Sequence, residues 1–419
     1  MRGCRFSLMK KKRTLRKVIN TLHLWVGIPS ALILFIVCLT GTVYVFQKEI
    51  TRWVDSDKYK ITITGHASTP MPIDSLVHSL ESKYDGLQVS TVQIPEKNTE
   101  AWLFTLAPPP KKNAEKEKAT IKKQTQVLIV NPYNGIVQGN AQGNAYKFFA
   151  TVIEIHRWLL MDHAIGSVIT GTAAFMFLLL EITGIILWMP SKIKSFKNRK
   201  SWQGRFGVRH TAGAKRINFD LHRAFGFYTF LFITIMAITG PYFAFSWYKK
   251  GLAAALGTQP VKKEAVVLTK SRQKDRHQSQ YSLDSAFIQS GLILPYPGDT
   301  RLNLPKGTKG SLSLLKVKTG FFVSAGTDRI DFNAENGEVK KINLFKSKKT
   351  GEQIVSIMKA IHTGEIFGTF SKLLYFFACL LATSLPVTGI IIWLNKRRKK
   401  PAKSIIKKHK AAESYLRAV

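Results

Sequence analysis

The chain has 419 residues, 45% of them hydrophobic, with 63 Lys and Arg against 25 Asp and Glu for a formal net charge of +38. That length is too great for one small domain, and the apolar residues fall in charge-poor blocks instead of recurring periodically, which excludes an ordinary soluble fold. A charge so positive would suggest nucleic acid in a soluble chain, but its placement at the edges of apolar blocks excludes that partner.

The first block, 24–46, is charge-free and exceeds the roughly 20 residues that span a bilayer core. It is too long for the apolar region of a signal peptide and no A-x-A pattern follows, so a retained helix over 23–47 is expected after a basic tail at 1–22. The segment 48–150 then predicts a small α+β domain. It opens with a helical stretch from Met71, continues in the alternating runs LQVSTVQI, AWLFTLA and QTQVLIV, and contains a Pro- and charge-rich stretch from Pro108 read as a solvated loop. A second span is expected within 151–189, entered through an interfacial turn at HRWLLMD and interrupted only by Glu181. A basic loop at 190–218 leads to a third span at 219–248. The segment 249–355 repeats the α+β plan with YSLDSAFIQSG as helix and SLSLLKV, GFFVSAG and RIDFN as strands, and a fourth span within 356–394 precedes a basic tail at 395–419.

Lys and Arg number eight before His23, nine in 190–218 and ten from Asn395 onward, with Glu413 the one acid among them. By the positive-inside rule these segments and both termini face the cytoplasm, and 47–155 and 249–361 lie outside.

The unit of helix, outside segment and helix occurs twice. His23, Gly27 and Thr40-Gly41 have the spacing of His222, Gly226 and Thr239-Gly240. Thr183-Gly184 stands before Trp188 as Thr388-Gly389 stands before Trp393, and a histidine precedes each of these spans, His156 and His362. Asn-Gly in NPYNGIV and in FNAENGEV predicts a type I′ hairpin in each half.

One histidine at a membrane edge has a bland explanation, since an imidazole is amphipathic. Four of them, two per leaflet on different helices, provide the axial nitrogens of two six-coordinate haem irons: His23 with His222, and His156 with His362. Cys4, Cys38 and Cys379 form no C-x-x-C-H motif, so such haem would be non-covalent. Gly27 and Gly226 lie one turn from their histidines, where a bare backbone lets a flat ring approach. Gly41 and Gly240 return to that face about 27 Å away and suit a second flat ligand, although small residues also serve helix packing. Arg157 and Arg223 follow histidines and suit propionate pairing or ordinary snorkelling. His163 is a rival to His156. Glu181 suits proton coupling or a hydrogen bond to a neighbouring helix.

The stretches LHLWVG, IHRWLL with TGIILWMP, LHRAFGF, and IHTGEIFG with TGIIIWL resemble the PepSY-associated transmembrane family over nearly the whole chain. The resemblance implies an α-helical integral membrane protein of the bacterial inner membrane, a four-helix bundle with two extracytoplasmic α+β PepSY-like domains in tandem duplication. It also implies b-type haems, two here, on His23, His156, His222 and His362, and an activity of the iron-regulated, ferric-siderophore reductase type. An oxidoreductase is therefore expected that carries electrons from a cytoplasmic or quinol donor to ferric siderophore iron or another periplasmic acceptor. A PepSY-domain binding or regulatory protein anchored by its helices is the alternative of a different class. The flavin module of some relatives is missing, because no nucleotide-binding βαβ pattern occurs.

Overall fold

The structure is a computed structural model that describes residues 2–61, 69–109, 125–190, 199–259, 281–305 and 311–397. The chain divides into two compact units. One comprises 1–43, 153–246 and 375–419, the other 44–152 and 247–374.

The first unit is helical. Four helices are long and apolar enough to cross a membrane: α1 (Arg2–Tyr44, candidate span Leu15–Tyr44), α6 (His163–Trp188), α8 (Ala214–Ala244) and α13 (Gly368–Arg397). They are the four spans expected, and the chain is a multi-pass membrane protein. Two helices begin earlier than the apolar runs suggest. α1 continues through the basic segment before His23, and α8 starts eight residues before His222, so both histidines lie inside helices. A short helix, α7 (Arg199–Phe206), lies in the basic loop and packs on α8.

α6 is entered through a corner. α5 (Asn144–Trp158) ends at Leu159 and Leu160, both at positive φ (53° and 59°), and Asp162 then caps α6 through Ala164 N–H at 2.9 Å. HRWLLMD is thus half helix and half corner. Gly166 closes it, since a Cβ there would fall 2.4 Å from the Trp158 carbonyl oxygen.

The second unit is one antiparallel sheet of eight strands in the order β4-β3-β2-β1-β5-β6-β7-β8. β1 (Gln88–Ile94), β2 (Trp102–Ala107), β3 (Gln126–Val130) and β4 (Val137–Asn140) follow α4 (Ile73–Lys83). β5 (Asp299–Asn303), β6 (Ser311–Val317), β7 (Thr327–Asn333) and β8 (Val339–Asn343) follow α10 (Leu283–Ile293). α2 (Gln47–Val54) and α3 (Ser56–Tyr59) precede α4, and α9 (Ser246–Ala255) precedes α10; α11 (Thr350–Ser356) and α12 (Met358–Thr363) follow β8.

The two α+β segments share one fold. β1 pairs with β5, with Val92 opposite Leu302, and each of these pairs outward with a matching residue, Phe104 or Leu314. The next steps, Phe104 to Leu128 and Leu314 to Ile330, keep the match, and a register shift occurs at the same place in β3 and β7. One core crosses the junction: Ile73, Leu76 and Leu80 of α4 and Leu283 and Ala286 of α10 pack on Val89, Val92, Phe104, Leu302, Leu314 and Phe332. Burying an apolar face shared by both halves makes them one sheet, since neither four-stranded half alone covers its inner edge strand.

Two expectations are corrected. GFFVSAG is no strand. Phe321 and Phe322 are 50% and 67% exposed and lean on each other and on Phe370, whereas the strand lies at Asp299–Asn303. That central strand is polar by composition and buries only Thr300 and Leu302, which is why an apolar pattern does not reveal it. The Asn-Gly turns are not type I′ either. Gly135 N–H donates to the Asn131 carbonyl at 2.9 Å and Asn131 N–H to Ile136, a four-residue loop in which Gly135 (φ 69°) has positive φ and Asn134 does not. Gly337 (φ 74°) and Asn333 repeat it. The charged loop at 110–124 lies outside the described residues.

A candidate cofactor site held by threonine-glycine pairs

Within the helical unit, His23 of α1 faces α6 and His222 of α8 faces α13. His23 Nδ1 lies 2.8 Å from Thr183 Oγ1, and His222 Nδ1 lies 2.9 Å from Thr388 Oγ1. A hydroxyl has one proton and two lone pairs. Thr183 donates that proton to the Leu179 carbonyl of its own helix at 2.8 Å, and Thr388 donates to Ser384 at 2.9 Å. Each oxygen is therefore left to accept, and Nδ1–H of each histidine donates to it. With the proton on Nδ1, each Nε2 keeps its lone pair, the form a metal ligand requires.

The adjoining glycines make room for the rings. A Cβ on Gly184 would stand 3.5 Å from His23 Cε1, and one on Gly389 would stand 3.4 Å from His222 Cε1. His156 repeats the arrangement against α1: Nδ1–H donates to the Val37 carbonyl at 3.0 Å and lies 3.2 Å from Thr40 Oγ1, whose own proton goes to Ile36 at 2.7 Å. Gly41 meets its ring, with a Cβ position 3.2 Å from Cε1. Gly41 thus seats the imidazole itself, where the sequence suggested a seat for a flat ligand.

His23 and His222 come together. Their ring centres are 6.3 Å apart and their planes are nearly perpendicular, at 83°. With about 2.0 Å per metal–imidazole bond and about 1.1 Å from nitrogen to ring centre, two imidazoles on one metal ion have centres about 6 Å apart. The spacing fits a shared ion. Among the described residues no three His, Cys, Asp or Glu gather into a metal site, so an ion held by this pair would bring its own equatorial donors, as haem iron does. Next to the pair, a Cβ on Gly226 would meet nothing within 4 Å, an open strip one turn from His222, whereas Gly27 packs on Leu180 at 3.5 Å.

The other expected residues are distributed more widely. His163 is 63% exposed in its side chain, stacks on Trp158 at 3.8 Å and contacts Glu154 at 3.4 Å, in contrast to the enclosed His156. Arg157 places its guanidinium 4.2 Å over the Trp158 ring. Arg223 pairs with buried Asp220 at 2.8 Å. Glu181 is buried two residues before Thr183. His362 lies in α12, which Gly364 ends at φ 79°. Thr239 donates to the Ile235 carbonyl at 2.8 Å as the other three threonines do, with Gly240 next in the chain. The threonines are what the sequence reading missed as functional residues, although their signal was present: Thr-Gly recurs at both ends of the repeat.

Four spans, an internal repeat and paired imidazoles define a multi-pass membrane protein built from a duplicated unit. Within that class, the chain belongs to the family described as the PepSY-associated TM region, whose pattern matches residues 21–396. Comparison with curated proteins finds no match.

Proposed function

We propose that the protein is a transmembrane di-haem b-type electron-transfer protein that reduces an acceptor outside the bacterial inner membrane, with ferric siderophore iron as that acceptor. The observation that carries this reading is the Nδ1–H bond from each of His23, His156 and His222 to an acceptor that fixes the tautomer. A helix that only anchors an outside domain needs no such pair. Haem, when bound, supplies one-electron chemistry.

The residues of the chain would act on that group in distinct ways. His23 and His222 would hold one iron, while Thr183 and Thr388 would orient them and raise their basicity. The repeat makes His156 and His362 counterparts, and the family resemblance makes each a candidate haem ligand. Arg157 and Arg223 are candidates for pairing with propionates. With the basic segments in the cytoplasm, the His23–His222 site faces a cytoplasmic or quinol donor and the eight-stranded sheet faces the periplasm. Electron delivery to ferric iron there weakens a hard-oxygen chelate, because those ligands favour the more highly charged ion, and Fe(II) leaves.

The test is a visible spectrum of the purified full chain before and after dithionite, with haem counted as the pyridine haemochrome. Two b-type haems per chain are expected, and a ferric siderophore added to the reduced protein should reoxidise it. A colourless protein that stays colourless when haem is supplied would overturn the proposal. Two haems with no reoxidation would keep the conduit and remove the acceptor.

A further inference from the structure

The end of the helical unit that holds His23 and His222 also gathers arginines. Arg16 donates to the carbonyls of Leu187 and Met189, Arg205 to that of Trp188, and Arg223 to that of Gly204. The first two cap the last turn of α6, where carbonyls lack helical partners and the dipole is negative. Arg209 lies against Gly204, and Arg205, Arg209 and Arg216 are all within electrostatic reach of Arg223. Among the described residues the carboxylate that answers them is Asp220, wholly buried, with Arg216 at 3.0 Å on one oxygen and Arg223 at 2.8 Å on the other. Five guanidiniums face one acid.

Among the described residues, three buried N–H groups in this cluster have no acceptor: Trp188 Nε1, Arg205 Nε and Arg223 Nε. Trp188 is only 7% exposed and is locked by stacking on Phe227 at 4.1 Å and by the edges of Phe206 and Trp202, so its N–H cannot turn to water. Buried donors without acceptors are costly and rare, and an ion or ligand is one of their ordinary explanations. The unmatched donors and the unmatched charge call for the same thing, an anionic group rich in oxygen lone pairs. Exposed apolar residues lie near this end of the helices: Ile182 on α6, Met189 just after it, and Tyr228 and Leu231 on α8.

We propose that this cluster binds the phosphate of an anionic phospholipid, whose acyl chains lie on those apolar residues. A phosphodiester supplies the missing charge and acceptors together, and a cation-rich site at the end of membrane-spanning helices meets such headgroups by position. The assignment does not depend on haem.

Native mass spectrometry of the full chain in neutral detergent, with equal phosphatidylglycerol or phosphatidylcholine added, tests it. Wild type should retain one phosphatidylglycerol with about tenfold preference, and Trp188→Phe, which keeps the ring and loses the donor, should remove most of that preference. Arg205→Gln should do the same, and Trp393→Phe, at the matching place in the second repeat, should leave it unchanged. Equal retention of the two lipids, or a preference untouched in both site variants, overturns the proposal. Abolition of the preference by millimolar inorganic phosphate would assign the site to free phosphate instead. A preference confined to haem-free protein would assign it to a haem carboxylate. Either of these results also overturns the lipid assignment.

Discussion

Replacing Thr183 by valine keeps the branched shape and removes the oxygen that accepts from His23 Nδ1–H at 2.8 Å. The imidazole then loses the bond that fixes its tautomer and its rotation, and loss of such an outer-shell partner costs about 10- to 100-fold in metal affinity. Thr183→Val and Thr388→Val should therefore each weaken haem retention by that order in a competition with apomyoglobin, while Thr183→Ser, which keeps the hydroxyl, retains it. Equal retention by the valine and serine variants would remove the threonines from the site. The histidines were legible in the sequence because a polar ring at the edge of an apolar run stands out. Their partners were not, because a threonine inside a span reads as a tolerated polar residue that bonds to its own helix. Both descriptions hold for Thr183: the bond to Leu179 uses the proton, and only three-dimensional packing shows where the lone pairs point.

At the scale of elements, α4 and α10 cap each other. Asp284 accepts from Ile73 N–H at 2.9 Å and Asp74 N–H at 3.3 Å, and Asp74 accepts from Ser282 Oγ at 2.6 Å and Leu283 N–H at 2.9 Å. Each helix thus receives its N-terminal carboxylate from the other half of the repeat. Burial, more than the neighbouring Asp284 charge, raises the Asp74 carboxyl above its ordinary value. The sign follows: the folded state holds the Asp74 proton more tightly than the unfolded chain. Its contribution to stability is complete below the ordinary carboxylate value and is lost as pH rises through the raised one. Asp74→Asn should flatten that pH dependence, and hydrogen exchange of α4 and α10 amides across the acid range measures it. A steeper fall in the variant would refute the sign. Asp284→Ala, which strips two amides at once, should cost about 1–2 kcal/mol of protection at any pH. Helices α4 and α10 were legible from their apolar spacing, but that each caps the other was not. Ser282 reads as an ordinary cap for its own helix, and nothing local marks Asp74 as belonging to a residue 208 positions away.

For the whole molecule, duplication explains why the histidines come in pairs. His23, His156 and His222 are each held by one Thr-Gly pair, so a chain with a single repeat would bring one imidazole to the place where His23 and His222 meet, and a six-coordinate iron needs two. Joining two repeats brings His222 beside His23, just as it gives the sheet its central β1–β5 pairing. The arrangement makes a quantitative prediction about His23 and His222. If their 6.3 Å separation reflects one shared ion, then His23→Ala, His222→Ala and the double variant must all lose the same single haem, because removing a second ligand from an already empty site removes nothing further. If instead each histidine serves a separate haem, the double variant must lose two. Haem counted per folded chain distinguishes these outcomes, with circular dichroism confirming the four helices in every variant. Non-additivity is the signature of one site, and a strictly additive loss would separate the pair however near the rings stand.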